Sequence, residues 1–221
     1  MKKIFIALVA LMAAVCPLFA GESWVGLATG PAFETLSDDD YAVGTTNWVI
    51  GVEGAYYFNE AETIGIGGKL GFGLTLETSA MYQGRPVSGS SMYSSEFLIA
   101  PALTFQYRLG ITDHMDLRLG AGLQYVHIFG NESFIGSTDF STRSRTSFDN
   151  LDFLANADLV FGGESFQFFG GIELAFNMVS NMTSKTTTTQ NDKTDTYKYS
   201  DTVDGVFRMS KTPRLGFSYA F

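Results

Sequence analysis

Residues 63–76 alternate so strictly that one kind of element satisfies them. One parity reads Ile64, Ile66, Gly68, Leu70, Phe72, Leu74, Leu76, and the other Gly65, Gly67, Lys69, Gly71, Gly73, Thr75. A period of two places the parities on opposite faces of a β-strand. The glycines say which face is which. A solvated face would carry Thr, Lys and Glu, because exposed glycine weakens a strand without a packing gain. The bore of an eight-stranded barrel has room only for side chains to fill it, so small residues suit the inside. The large apolar parity then faces lipid.

The same alternation recurs eight times, near 23–35, 47–58, 63–76, 95–109, 115–129, 151–161, 166–179 and 205–221. Lipid-facing positions read as Trp48, Ile50, Val52, Tyr56 and Phe58 on the second strand and Ile99, Leu103, Phe105 and Tyr107 on the fourth. The fifth adds Leu117, Leu119, Leu123 and Tyr125, and the seventh Phe166, Phe168, Ile172, Leu174 and Phe176. Connections at 59–62, 110–114 and 162–165 are short. Those at 36–46, 77–94, 130–150 and 180–204 are long, and the last is expected to be mobile because it holds few apolar residues. Short turns alternating with long loops mark outer-membrane barrels, and an even strand count puts the long ones outside. The expected fold is all-β, an eight-stranded antiparallel up-and-down transmembrane β-barrel with short periplasmic turns and long extracellular loops.

Composition agrees. Charged residues make up 17% of the chain, below the roughly 25% of soluble domains. Aromatics reach 14%, with 20 Phe and 10 Tyr. Beyond the first residues no apolar run approaches the roughly 20 residues of a spanning helix.

Lys2 and Lys3, the apolar stretch at 4–15 and the small residue Ala20 before Gly21 read as a secretory signal peptide at 1–20. The barrel domain is then 21–221. A rival makes Cys16 the acylated cysteine of a lipoprotein, but Val15 stands where processing expects Gly, Ala or Ser. Cys16 is the only cysteine, so the exported part has neither a disulfide nor a thiolate metal site. A net charge of −9 leaves no electrostatic footprint for nucleic acid. No motif points to a cofactor: the glycines at 65–73 alternate along a strand, whereas phosphate loops need consecutive backbone N–H groups before a helix. The run Ser37, Asp38, Asp39, Asp40 lacks the other ligands of a calcium loop and reads as a solvated tip.

The final strand ends Arg214, Leu215, Gly216, Phe217, Ser218, Tyr219, Ala220, Phe221. This resembles the C-terminal assembly signature of bacterial outer-membrane barrels, with a terminal Phe and alternate apolar residues. The chain is similar to the small eight-stranded barrels exemplified by the OmpA transmembrane domain, OmpX and OmpW. The resemblance implies that Leu215, Phe217, Tyr219 and Phe221 are read by the barrel-assembly machinery. Phe217, Tyr219 and Phe221 would also join Tyr56, Phe58, Tyr107, Phe161 and Phe166 in an aromatic girdle at the lipid–water boundary.

The inward parity is rich in charge: Glu53, Lys69, Glu96, Arg108, Asp116, Arg118, Asp152, Asp158, Glu173, Arg208 and Arg214, with Gln106, Gln124, Asn156, Gln167 and Asn177 among them. Unpaired burial costs several kcal/mol per ion, so these groups are expected to pair into a plug. A gated or proton-linked path through them is the functional alternative. His114 reads as solvated in a turn. His127 lies on the lipid parity at the outer end of the fifth strand, with Asn131, Glu132 and Ser133 nearby but no His-x-Ser spacing. No catalytic, metal or cofactor residue is assigned.

Three functions follow as expectations. The first is a non-catalytic scaffold, set in outer-membrane lipid and lipopolysaccharide-like glycolipid. Its loops carry Tyr82, Tyr93, Phe134, Phe140, Phe148, Tyr197 and Tyr199 and would contact a host or other surface ligand. The second is an OmpW-like conduit for small or hydrophobic solutes, and the third a lipid A-modifying enzyme built on His127. A soluble lipocalin-like barrel, with the apolar parity inside, is the rival fold.

Overall fold

A computed structural model describes residues 23–37, 41–58, 61, 63–82, 85–86, 97–137, 140–163, 165–190, 193–202 and 207–221. The segment at 1–20, the acids at 38–40, Tyr93 and Glu96 lie outside these residues.

The described residues form ten strands: β1 (Ser23–Ser37), β2 (Tyr41–Tyr57), β3 (Ile64–Tyr82), β4 (Arg85–Pro86), β5 (Phe97–Thr112), β6 (Met115–Ser137), β7 (Phe140–Gly162), β8 (Phe166–Gln190), β9 (Lys193–Thr202) and β10 (Phe207–Ala220). Eight close a ring of antiparallel neighbours, β1-β2-β3-β5-β6-β7-β8-β10, and β10 pairs back onto β1. Closure extends to the last residue, since Phe221 and Ser23 exchange backbone hydrogen bonds of 2.9 and 3.1 Å. A closed sheet satisfies every backbone group inside the ring, which hydrocarbon demands.

The parity assignment holds. Leu103, Phe105, Phe168 and Leu215 are 56%, 54%, 60% and 68% exposed on the outside. Glu53, Arg118, Asp152, Asp158, Glu173, Arg208 and Arg214 are buried inside. That excludes the lipocalin-like alternative, whose apolar side chains would fill the bore. Among the described residues no helix is long and apolar enough to cross a membrane; the crossing is made by strands. The inward glycines make room for longer neighbours. A Cβ on Gly120 would lie 2.2 Å from Asn156 Oδ1 and 2.7 Å from Gln106 Nε2.

One expectation needs correction. Much of what reads as loop at 36–46, 77–94, 130–150 and 180–204 is strand. β6 and β7 stay paired out to Ser137 and Phe140, and β7 and β8 out to Phe140 and Gln190. Where β10 stops following β8, at Met209 opposite Phe176, β9 takes its place from Asn181 onward. The result is a four-stranded arm, β6-β7-β8-β9, projecting past the ring. A low apolar content signals lack of burial, and pairing does not require burial when Thr and Ser supply β-branched or hydroxyl pairs. Hydroxyls meet across the strands at Thr142–Thr188 (3.4 Å), Ser144–Thr186 (3.2 Å) and Thr187–Thr196 (3.3 Å).

Candidate functional site: the charged lumen and the outer rim

β10 sends one long side chain inward at each of two levels. At the middle level Arg214 reaches carboxylates from three strands. Its Nη1 donates to Glu53 of β2 at 2.7 Å and to Glu173 of β8 at 3.3 Å. Its Nε donates to Asp158 of β7 at 2.8 Å, and Nη2 closes a second bond to the same carboxylate. The planar fork of arginine suits this multidentate role. Lys69 of β3 completes the level, with Nζ 2.5 and 2.6 Å from the two Glu173 oxygens. Phe169 lies under the Arg214 guanidinium at 5.5 Å. The Trp24 indole N–H and Glu53 Oε1 have no hydrogen-bond partner among the described residues. Both line a small cavity shared with Thr104, Gln106 and Asn156, with room for roughly one water.

At the outer level Arg208 donates from Nη1 to Asp152 of β7 at 2.8 Å, while its Nη2 lies 3.1 Å from Glu34 of β1. Asn177 donates to the other Asp152 oxygen at 3.0 Å. Between the levels Ala102, Leu154 and Ala175 form a buried apolar cluster. At the end bearing the termini, Arg118 lies over the Trp24 ring at 4.4 Å, donates to Gln167 and reaches Ser218 Oγ at 3.4 Å. Arg108 and Asp116 pair at 2.9 Å near the β5–β6 turn. Thus every expected lumen charge among the described residues has a partner. Glu34 and Trp24 were missed, although both lie on the inward parity of the first strand with Gly26, Ala28 and Ala32. Extending that parity by one position finds Glu34.

At the outer rim a second cluster faces outward. His127 Nδ1 lies 2.6 Å from Asp149 Oδ1, and the Tyr125 hydroxyl donates to the same oxygen. Register explains it, since His127 of β6 is directly opposite Asp149 of β7. Asp149 lay in a stretch read as loop, so the pair was not foreseen. Ser133, near in sequence, pairs instead with Ser144, on the opposite face from His127. Ser147 is opposite Phe129 and makes no hydrogen bond to the imidazole. Among the described residues a base and its orienting acid are therefore present without a hydrogen-bonded nucleophile. Among the described residues no group of His, Cys, Asp and Glu could hold a metal ion.

Phe217, Tyr219 and Phe221 sit outward at the terminal end. Phe166 stacks on Phe217 at 6.0 Å between ring centroids, and Tyr219 on Phe221 at 6.2 Å. Leu215 stands one outward position above them. His114 is exposed in the β5–β6 turn, as expected.

The family model for the outer membrane protein beta-barrel domain matches residues 5–153, more than half of the chain. No curated protein sequence matches. Among solved structures, a major outer membrane protein from Thermus thermophilus is similar at 14% identity and a TM-score of 0.57, over 91% of this chain and 100% of that one. Neisserial surface protein A is similar at 10% identity and a TM-score of 0.55, with the same coverage. At these identities the likeness shows the fold alone: a small outer-membrane β-barrel.

Proposed function

The chain belongs to the outer membrane protein β-barrel domain family, and on that premise we propose that it is a plugged, non-catalytic scaffold presenting its arm at the cell surface. The termini and short turns then face the periplasm, and the β6–β9 arm faces outward. The observation that supports this reading is the filling of the lumen by paired side chains: Arg214 ties β2, β7 and β8 together, and Arg208 and the Ala102–Leu154–Ala175 cluster lie above it. An interior filled with bonded side chains leaves the arm as the part free to interact, and recognition on barrels is carried by what a rigid scaffold holds out. Among the described residues the His127–Asp149 pair has no hydrogen-bonded nucleophile, which supports a non-catalytic role over lipid A modification. The terminal strand's outward Leu215, Phe217, Tyr219 and Phe221 are the surface the assembly machinery would read.

Replacing the arm tips at 132–145 and 183–200 with short turns should leave a heat-modifiable barrel that no longer binds host-cell, matrix or neighbouring-cell surfaces. Unchanged binding to every surface that the intact chain binds would overturn the scaffold reading. In planar bilayers the folded protein should be silent. Stepwise conductance that changes on Arg118→Gln or Glu173→Gln would replace the plug with the solute-conduit reading.

A further inference from the structure

The arm's two faces are sorted by charge. On the face that continues the outward, lipid-exposed parity, Arg145 of β7, Lys185 of β8 and Lys198 of β9 occupy one cross-strand row, each directly opposite the next. All three are exposed. Arg143 lies one outward position further along β7, beside Thr187 and Thr196. On β9 the acid Asp195 falls on the other parity, opposite Thr188. The acids sharing the basic face are few. Glu132 holds the register position beside Arg145 on β6, and Asp149 is already bonded to Tyr125 and His127.

Directly opposed residues stand about 4.5–5.5 Å apart, and like charges there destabilise the pair. Neither Arg145, Lys185 nor Lys198 makes an ion pair among the described residues. Three adjoining cations in an otherwise acidic chain are therefore an arrangement that an external anion would relieve. Their height says which. On β7 and β8 the apolar outward positions end at Leu151 and Val179, which face each other, while on β6 Phe129 carries them up to the level of Ser147. Arg145 and Lys185 lie six residues further out than Leu151 and Val179. At about 3.3 Å per residue and a tilt near 40°, that is roughly 15 Å above Leu151 and Val179 and about 5 Å above the level of Phe129. Lysine and arginine stems can bend several ångströms toward the membrane.

We propose that Arg145, Lys185 and Lys198 form a binding row for the phosphate- and carboxylate-bearing saccharide headgroup of the outer-leaflet glycolipid. The row lies against the membrane side of the arm and holds the arm's lean relative to the bilayer. This rests on the outward orientation argued above.

The test uses the refolded full chain in vesicles of phosphatidylcholine, with and without lipopolysaccharide. Lipopolysaccharide should raise the midpoint of the heat-modifiable gel shift, and salt should diminish the gain. The R145Q/K185Q/K198Q variant should match the wild type in phosphatidylcholine alone but bind lipopolysaccharide about tenfold more weakly, the sum of three exposed charge contacts. The R145K/K185R/K198R variant should retain binding. Affinity of the Gln variant within twofold of wild type would overturn the proposal. So would inositol hexakisphosphate giving the same stabilisation in phosphatidylcholine vesicles, since the ligand would then be a free polyanion. Cleavage after Lys185 or Lys198 by trypsin on intact cells separately supports the outward orientation. Full protection on cells, with binding intact in vesicles, would overturn the orientation and leave the anion site standing.

Discussion

β7 and β8 remain paired from the turn at Gly162 and Gln167 to the tip at Phe140 and Gln190, yet the half inside the ring and the half beyond it are held by different physics. Inside, one face is hydrocarbon-facing Leu, Phe and Ile, and the other carries ions whose partners come from across the bore. Beyond Phe148 and Met182, which stand opposite each other, both faces of β7 and β8 are polar up to Phe140 and Gln190. Thr146 donates to Ser184 at 3.4 Å on one face, while Thr183 and Ser200 meet at 3.2 Å on the other. A bulge between Leu151 and Asp152, opposite Asn177 and Val179, lies on the ring side of the junction. The backbone ladder is indifferent to the change. What differs is how many strands each side chain binds together: lumen ions link nonadjacent strands, whereas arm hydroxyls link only neighbours.

The largest expected effect follows from that difference. Arg214→Met leaves Glu53 and Asp158 buried without their main partner, while Glu173 keeps Lys69. Breaking a buried pair from one side costs about 3–5 kcal/mol. The variant should lose much of its heat-modifiable fold or shift its urea midpoint sharply. R214M/E53Q/D158N, which removes the two stranded charges, should recover part of the loss. If R214M unfolds like the wild type, the lumen ions do not hold the barrel, and the contrast between the two halves disappears.

Gly120→Val probes the same half through space instead of charge. Its Cβ would stand 2.2 Å from Asn156 Oδ1 and 2.7 Å from Gln106 Nε2, and overpacking of this kind costs roughly 1–3 kcal/mol. The midpoint should fall by less than for R214M. A neutral outcome would mean that the lumen side chains repack freely, against a tightly filled plug.

How much of this was readable beforehand divides along the same line. Parity is local, because a period of two fixes each residue's face from its immediate neighbours. The inward set from Glu53 to Arg214 and the outward set from Trp48 to Phe221 were therefore legible. Partners are not local. Lys69 meets Glu173 and Arg214 meets Glu53 only through the ring's register across strands more than a hundred residues apart. Nothing in either strand encodes that match. The arm was hidden for another reason. Residues such as Thr186–Thr189 give no apolar contrast between faces, so alternation cannot reveal a strand whose two sides are both wet. With the arm read as loop, Asp149 had no assigned face, and its bond to His127 had no precedent in the pattern.

The smallest expected effect tests whether the arm is held only by neighbour-to-neighbour contacts. Ser144→Ala and Thr186→Ala each remove one side of a 3.2 Å hydroxyl pair. Exposed cross-strand pairs contribute about 0.2–1 kcal/mol, so a double-mutant cycle should give a coupling in that range. That energy belongs to opening the arm, an event separate from unfolding the ring. The urea midpoint of the barrel should therefore not move, while amide hydrogen exchange at Ser144, Lys185 and Thr187 should quicken by a few-fold. If the global midpoint instead falls with the exchange rates, the arm and ring unfold as one unit. The long strands would then act as extensions of the lumen's stability, and the division at Phe148 and Met182 would be one of side chains alone.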